Sequence, residues 1–310
     1  MAVMAPNTTL NFLDLTGIFE PSAIQQLPDG RFLVVEDEKQ FPFSLVSIGL
    51  DGRVNSVPLS TESEKPGTVS LKLDDLEALA LDQAGYCYAL TSHSRDGDGD
   101  EKKSRDKLIR FQIDGQRLVA PIVIQGLKRA LAAAHPALAA AAAVRDVKDA
   151  GGLNIEALEI SLNQQQLWIG FRSPLQGRCA IIASVENPVA IFESGESPRI
   201  AASVQTLDLG GDGIRGMAFI PALGGYLLIS GPAASADVHF GLWFWSGLAH
   251  AAPRRVTVPG LPGFAHAEGV TPAVVDGEPR IVIVSDDGSR ATGRCARFLL
   301  LDPAQLQIAP

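Results

Sequence analysis

Five places in this chain repeat one local pattern: a polar residue, a small residue, then alternating apolar ones. They read Ser22-Ala23-Ile24, Glu77-Ala78-Leu79, Glu156-Ala157-Leu158, Arg215-Gly216-Met217 and Glu268-Gly269-Val270. If the fold brings their first members together, three carboxylates, a hydroxyl and a guanidinium meet at one point. Converging carboxylates repel one another unless a cation compensates them. Two compensations are open. A hard Ca²⁺ or Mg²⁺ ion would take oxygen ligands from Ser22, Glu77, Glu156 and Glu268. Alternatively, Arg215 bridges the carboxylates in a structural cluster that holds no cofactor.

A second set of reactive side chains lies downstream in each unit: Glu36-Asp37-Glu38, Ser92-His93, Arg172-Ser173, Ser230 and Asp286-Asp287. This mixture suits general acid–base catalysis around a bound anionic or hydroxylated ligand. His93 and Asp286 are the expected acid–base pair, with Arg172 orienting an anionic group. Asp37, Arg215, Ser230 and Asp287 are expected to contact the ligand. Each of these also reads as a hydrogen-bonded strand end that ties neighbouring sheets together.

The elements that must position these residues are short strands. Each unit continues with a turn and a second strand, as in LPDG-RFLVVED, LDQAG-YCYALTSH and IPALGG-YLLISGP. Third strands follow, and four of the five units show a fourth. Short apolar runs with Gly, Pro and Asp turns at near-regular spacing mark antiparallel all-β structure. Five four-stranded sheets set radially make a β-propeller, in which only short edges are left open. The fifth unit lacks its own last strand, and TTLNFLDL near the start of the chain can supply it. One propeller domain over residues 1–310 is therefore expected. The long second-to-third step is accounted for by an Ala-rich helical pair at 127–151, with Pro136 in the first turn of its second helix and Gly151-Gly152 as its stop.

Strand order then selects a mouth. The inner-strand starts and second-strand ends share one end of the ring, which carries almost every long loop, including SHSRDGDGDEKKSRD and SDDGSRATGR. The opposite end has plain turns. Function concentrates in loops held by a rigid scaffold, so the elaborated mouth is the expected site.

Composition narrows the classes. A net charge of −9 argues against binding nucleic acid or an anionic membrane. No apolar run is long enough to span a bilayer. The three cysteines, Cys87, Cys179 and Cys295, form no C-x-x-C pair and suit a reducing, cytoplasmic setting. A soluble monomer is expected, with a small molecule or a protein as its ligand.

The Glu-Ala, Arg-Gly and Glu-Gly inner strands, with LWIGFRSP, YLLISGP and VIVSDDG, resemble a bacterial β-propeller family catalogued as a domain of unknown function. Its neighbours include phytase-like esterase and lactonase propellers, and the resemblance spans residues 10–302. It implies the fold and no assigned reaction; the charged groups converging at one mouth lead to the expectation of a hydrolase of a small phosphorylated, lactone or ester substrate there. The alternative is a non-catalytic propeller that binds a ligand or protein. A looser resemblance is to calcium-activated apyrases, five-bladed propellers with an axial calcium held by Ser and Glu. Ser22, Glu77, Glu156 and Glu268 match that pattern, while Arg215 stands where another Ser belongs. Asp96-Gly-Asp98-Gly-Asp100 is similar to half of an EF-hand loop, but Glu101 replaces its glycine and Lys107 its last acid.

Overall fold

The computed structural model describes residues 10–37, 39–59, 71–145, 151–234 and 239–310. It is a five-bladed β-propeller. The inner strands are Pro21–Gln26, Leu76–Leu81, Asn154–Ile160, Gly213–Ile220 and Ala267–Val275. Each pairs antiparallel with the strand that follows it, and in the first four blades the third and fourth strands are added outward in chain order. Second strands such as Phe32–Glu36 are buried along their whole length. They are sandwiched between neighbouring blades, which is why they read as continuous apolar runs rather than alternating ones.

All five inner strands carry the same irregularity. Register slips between Pro21 and Ala23, Leu76 and Ala78, Ile155 and Ala157, Ile214 and Gly216, and Ala267 and Gly269. The residues left without a cross-strand partner are Ser22, Glu77, Glu156, Arg215 and Glu268. A β-bulge re-aims its extra side chain, and here all five point into the axial cavity. The small residue that follows is explained by crowding. A Cβ at Gly216 would lie 2.0 Å from the Glu268 carbonyl oxygen, and one at Gly269 would lie 3.0 Å from Ala23 Cα. The polar-small pattern thus encodes a bulge followed by a close approach of adjacent blades.

The core is divided among five apolar clusters, one at each seam between blades. One of them joins Ile24, Phe32 and Val34 of the first blade to Val282, Val284 and Phe298 of the fifth, so the ring is closed. The outermost strand of the fifth blade is Leu13–Asp14, paired with Phe298 and Arg297. Residues 8 and 9 of the expected closing strand lie outside the described residues. A strand at the other end of the chain, Gln307–Ile308, was not expected; it adds a fifth strand to the fourth blade beside Val256 and Thr257.

The Ala-rich insertion forms helices Leu127–Ala134 and Pro136–Ala143, the second opened by its proline. Leu127, Leu131, Leu138 and Ala141 are buried in the seam between blades two and three. The second helix ends at Ala143, ahead of the expected glycine stop, and residues 146–150 are not described. A third helix, Pro188–Ser194, ends at Gly195, whose φ of 69° suits a glycine. Among the described residues no helix is long and apolar enough to cross a membrane.

Closure depends on Leu15 and Ile18, both fully buried in the seam between blades five and one. Leu15→Ala should lower stability by roughly 2–5 kcal/mol in urea melts, and deletion of residues 1–17 should lower it further. An unchanged midpoint for the deletion variant would contradict ring closure through this segment.

Candidate functional site: the axial mouth

The five bulged residues form the floor of a cavity of about 770 Å³ at the elaborated mouth. Arg215 is its pivot. Its Nε lies 2.7 Å from Glu156 Oε2, and its Nη2 contacts Glu268 Oε1. Glu156 and Glu268 are buried, so these charges interact in a poorly screened setting. A second guanidinium joins them, with Arg172 Nη1 3.2 Å from Glu156 Oε1. Arg172 arrives by a further bulge: the slip between Asn154 and Ile155 leaves it unpaired on the second strand. Its Nε donates to the Pro232 carbonyl, clamping blade three to blade four.

Two guanidiniums therefore face two ionised carboxylates. The third carboxyl, Glu77, is held well above the usual carboxylate range, first by burial and then by the negative charges of Glu156, Asp75 and Asp37. Arg215 only partly offsets this. Burial and the neighbouring anions thus disfavour the charged form of Glu77.

Above the floor sits a second tier. Asp75 is held by Arg105 Nη1 at 2.8 Å, by Ser94 Oγ at 2.9 Å and by the Ser92 hydroxyl. Asn154 donates to Glu156 Oε1 at 3.0 Å, and its own buried Oδ1 has no partner among the described residues. Asp75 and Asn154 were not singled out from sequence. Each stands two positions before a bulged residue, and that spacing is the signal that could have found them, although Asp75 lies just ahead of its strand with a left-handed φ of 63°.

Asp37 and Asp286 complete the tier. The Asp37 N–H donates to the Glu20 carbonyl at 3.1 Å, and the Asp286 N–H to the His266 carbonyl at 2.7 Å. Among the described residues their carboxylates accept no hydrogen bond and form no ion pair. Burial pushes Asp37 up to about 6, reinforced by the charge of Asp75. Solvent reaches Asp37 through the mouth, but surrounding protein displaces much of its hydration. Burial likewise pushes Asp286 up to about 6, partly opposed by Arg215.

The other expected site residues lie elsewhere. His93 is buried and does not line the cavity. Its Nδ1 is 2.7 Å from the Thr91 carbonyl and its Nε2 is 3.1 Å from Asp106. Asp106 in turn accepts from the Gly126 N–H, so His93 ties its strand end to the start of the helical insertion. Ser230 is held between Asp212 at 3.1 Å and Trp243 Nε1 at 3.0 Å. Asp287 binds Arg297 and lines an adjoining chamber instead. Glu38 lies outside the described residues.

The donor set does not fit a divalent cation. Two of its three carboxylates are already engaged by Arg215, and burial with neighbouring anions disfavours the charged form of the third. Among the described residues no three His, Cys, Asp or Glu side chains are grouped to hold a metal ion. The Asp96 loop is satisfied internally. Asp96 accepts the N–H groups of Asp98 and Asp100, and Lys102 lies 2.9 Å away.

No protein-family model and no curated protein matches the chain. Among solved structures it is similar to an exo-β-1,3-galactanase of Phanerochaete chrysosporium, at 13% identity and a TM-score of 0.51, covering 97% of this chain and 66% of that one. It is also similar to a PQQ-bound aldose sugar dehydrogenase of Streptomyces coelicolor, at 16% identity and a TM-score of 0.47, over 97% and 98% of the two chains. A periplasmic gluconolactonase of Pseudomonas aeruginosa follows, at 13% and 0.40, over 93% and 78%. The galactanase likeness speaks for a shared fold and nothing finer.

Two outcomes test the electrostatics. Arg215→Ala leaves Glu156 and Glu268 buried without their main partner, and breaking such a pair costs roughly 3–5 kcal/mol. A loss below about 0.5 kcal/mol in urea melts, the scale of an ordinary surface substitution, would contradict the assignment. Asp286 behaves oppositely. Its folded-state value, about 6, exceeds the ordinary 3.8, so its contribution to stability falls as pH rises between those values. Asp286→Asn should melt above the parent at pH 7.5 and level with it near pH 4. A lower melting point at pH 7.5 would contradict this.

Proposed function

We propose that the axial mouth hydrolyses a small, uncharged, hydroxyl-rich ester or lactone, with no metal ion in the mechanism. The observation that carries this reading is the Asp37–Asp286 pair: two carboxyl groups with no hydrogen-bond or ion-pair partner among the described residues, both near 6, on the wall of one cavity. A binding module would satisfy such groups with hydrogen bonds, as Asp75 is satisfied here. Partnerless carboxyls near neutrality are suited to moving protons.

Charge selects between the substrate classes. Eight carboxyl groups and five guanidiniums line the cavity, and Arg215 and Arg172 are already committed to glutamates. A phosphorylated substrate would meet net negative charge without a metal to screen it. A neutral polyol ester meets hydrogen-bonding groups suited to hydroxyls.

The steps follow from the two environments. Both aspartates stand near 6, so around that pH one can be ionised while the other keeps its proton; the base is assigned to Asp286, beside Arg215, and the acid to Asp37, beside Asp75. Asp286 takes a proton from water, whose oxygen adds to the substrate carbonyl carbon. Arg172, whose Nε and Nη1 are tied to protein, has Nη2 left to donate to the developing oxyanion. As the carbon–oxygen bond to the alcohol breaks, Asp37 supplies the proton that the leaving oxygen needs. The products are a carboxylic acid and an alcohol, and exchange with water resets both aspartates.

Turnover of neutral aldonolactones and sugar esters should follow a bell-shaped pH profile centred near 6. EDTA should leave it unchanged. Asp286→Asn and Asp37→Asn should each lower kcat/KM by roughly 10²–10⁴. Undiminished activity in Asp286→Asn, or no turnover across such a panel, would overturn the reading.

A further inference from the structure

We infer that the site has a second subsite, in the chamber at the seam between blades five and one, and that its substrate is a two-part ester rather than a compact lactone. This rests on the hydrolytic reading above and names its substrate class. The lateral chamber, about 820 Å³, shares two residues with the axial cavity: Asp37 and Asp286. The proposed proton-transfer pair is thus the partition between two spaces. Each is of the order of 300–1,000 Å³ that usually encloses one small ligand. A single sugar lactone would fill one and leave the other empty.

The lateral chamber is built, not a gap between loops. Gly288 packs so closely on blade one that a Cβ there would lie 2.1 Å from the Phe19 carbonyl oxygen. The Ala296 N–H donates to Ile18 at 2.8 Å, and the Leu15 N–H donates to Ala296 at 2.7 Å. Arg297 fixes Asp287 on the far wall. His266 holds a left-handed φ of 60°, uncommon for a residue with a Cβ, and its ring lies on Phe240 at 5.6 Å. Its carbonyl anchors Asp286, so chamber wall and partition are one rigid unit. Glu20, His266 and the Asp287–Arg297 pair offer donors and acceptors for hydroxyl groups.

Chemistry orients the substrate. The guanidinium with a donor left to polarise a carbonyl, Arg172, borders the axial cavity and not the lateral chamber. The acyl half therefore lies there. The leaving alcohol, which must be protonated at the partition, lies in the lateral chamber. An ester joining a hydroxylated acid to a separate polyol fills both.

Non-hydrolysable probes test this. Gluconamide represents the acyl half, and its N-glucityl derivative represents the whole ester with an amide in place of the scissile link. By calorimetry the derivative should bind at least about tenfold more tightly. Cys295 borders the lateral chamber, Cys87 is buried, and Cys179 can be removed as Cys179→Ser. Maleimide labelling of Cys295 in that background should abolish the gain while leaving gluconamide affinity within about twofold. Arg294→Trp, at an exposed position on the same wall, should do the same without labelling. Equal affinities, a gain that survives both blocks, or no binding of either probe would overturn the two-subsite inference. Lactone turnover alongside equal affinities would retain the hydrolase and remove the subsite. The expected binding pattern with no turnover of the matching ester would do the reverse.

Discussion

Three carboxyl groups share the axis of this ring, and everything around them depends on how their charge is cancelled. Arg215 supplies the first counter-charge, contacting Glu156 and Glu268 from a neighbouring blade on either side. Arg172 supplies the second, and the buried, anion-rich surroundings of Glu77 disfavour its charge. The arrangement is possible because every inner strand carries a bulge at the same register. A regular strand would spend these side chains on alternation between its two faces. With the bulge, each blade contributes one polar residue to the axis and keeps its apolar faces for the seams.

Because the floor is neutralised from within, no guanidinium is left over for the two aspartates above it. Among the described residues Asp37 and Asp286 therefore have no hydrogen-bond or ion-pair partner, and burial raises both. That costs stability at neutral pH, the usual cost of a group held ready for chemistry. Their placement also ties function to topology. Both stand at the seam where the chain's first strand closes the last blade, and Asp14 of that strand borders the lateral chamber. Arg290 stiffens the same seam, stacked on Phe19 at 4.4 Å and facing Glu36 at 3.4 Å.

Much of this was legible in the sequence, and for a local reason. A bulge and a close approach of adjacent backbones both act within two residues, so they leave a polar-small signature that can be read without knowing the fold. Ser22, Glu77, Glu156, Arg215 and Glu268 were found that way, and so was the pairing of the chain ends. The fate of the second-strand ends was not legible. His93 and Asp286 occupy similar strand ends, yet His93 takes a φ of 58° and turns its ring to Asp106, on the far side of a long loop. Arg172 reaches the axis only because its strand carries a second bulge, which nothing in LWIGFRSP announces. The lateral chamber is formed by segments from opposite ends of the chain. The strand Gln307–Ile308 is too short to leave a periodic signal.

The central claim is that a guanidinium, not a metal ion, balances the axial carboxylates. A crystal structure of the protein grown in millimolar calcium tests it most directly. The account predicts Arg215 between Glu156 and Glu268, with no ion within about 2.3–2.6 Å of their oxygens. Density for a calcium ion bound to Glu77, Glu156 and Glu268, with Arg215 swung out of the axis, would contradict it.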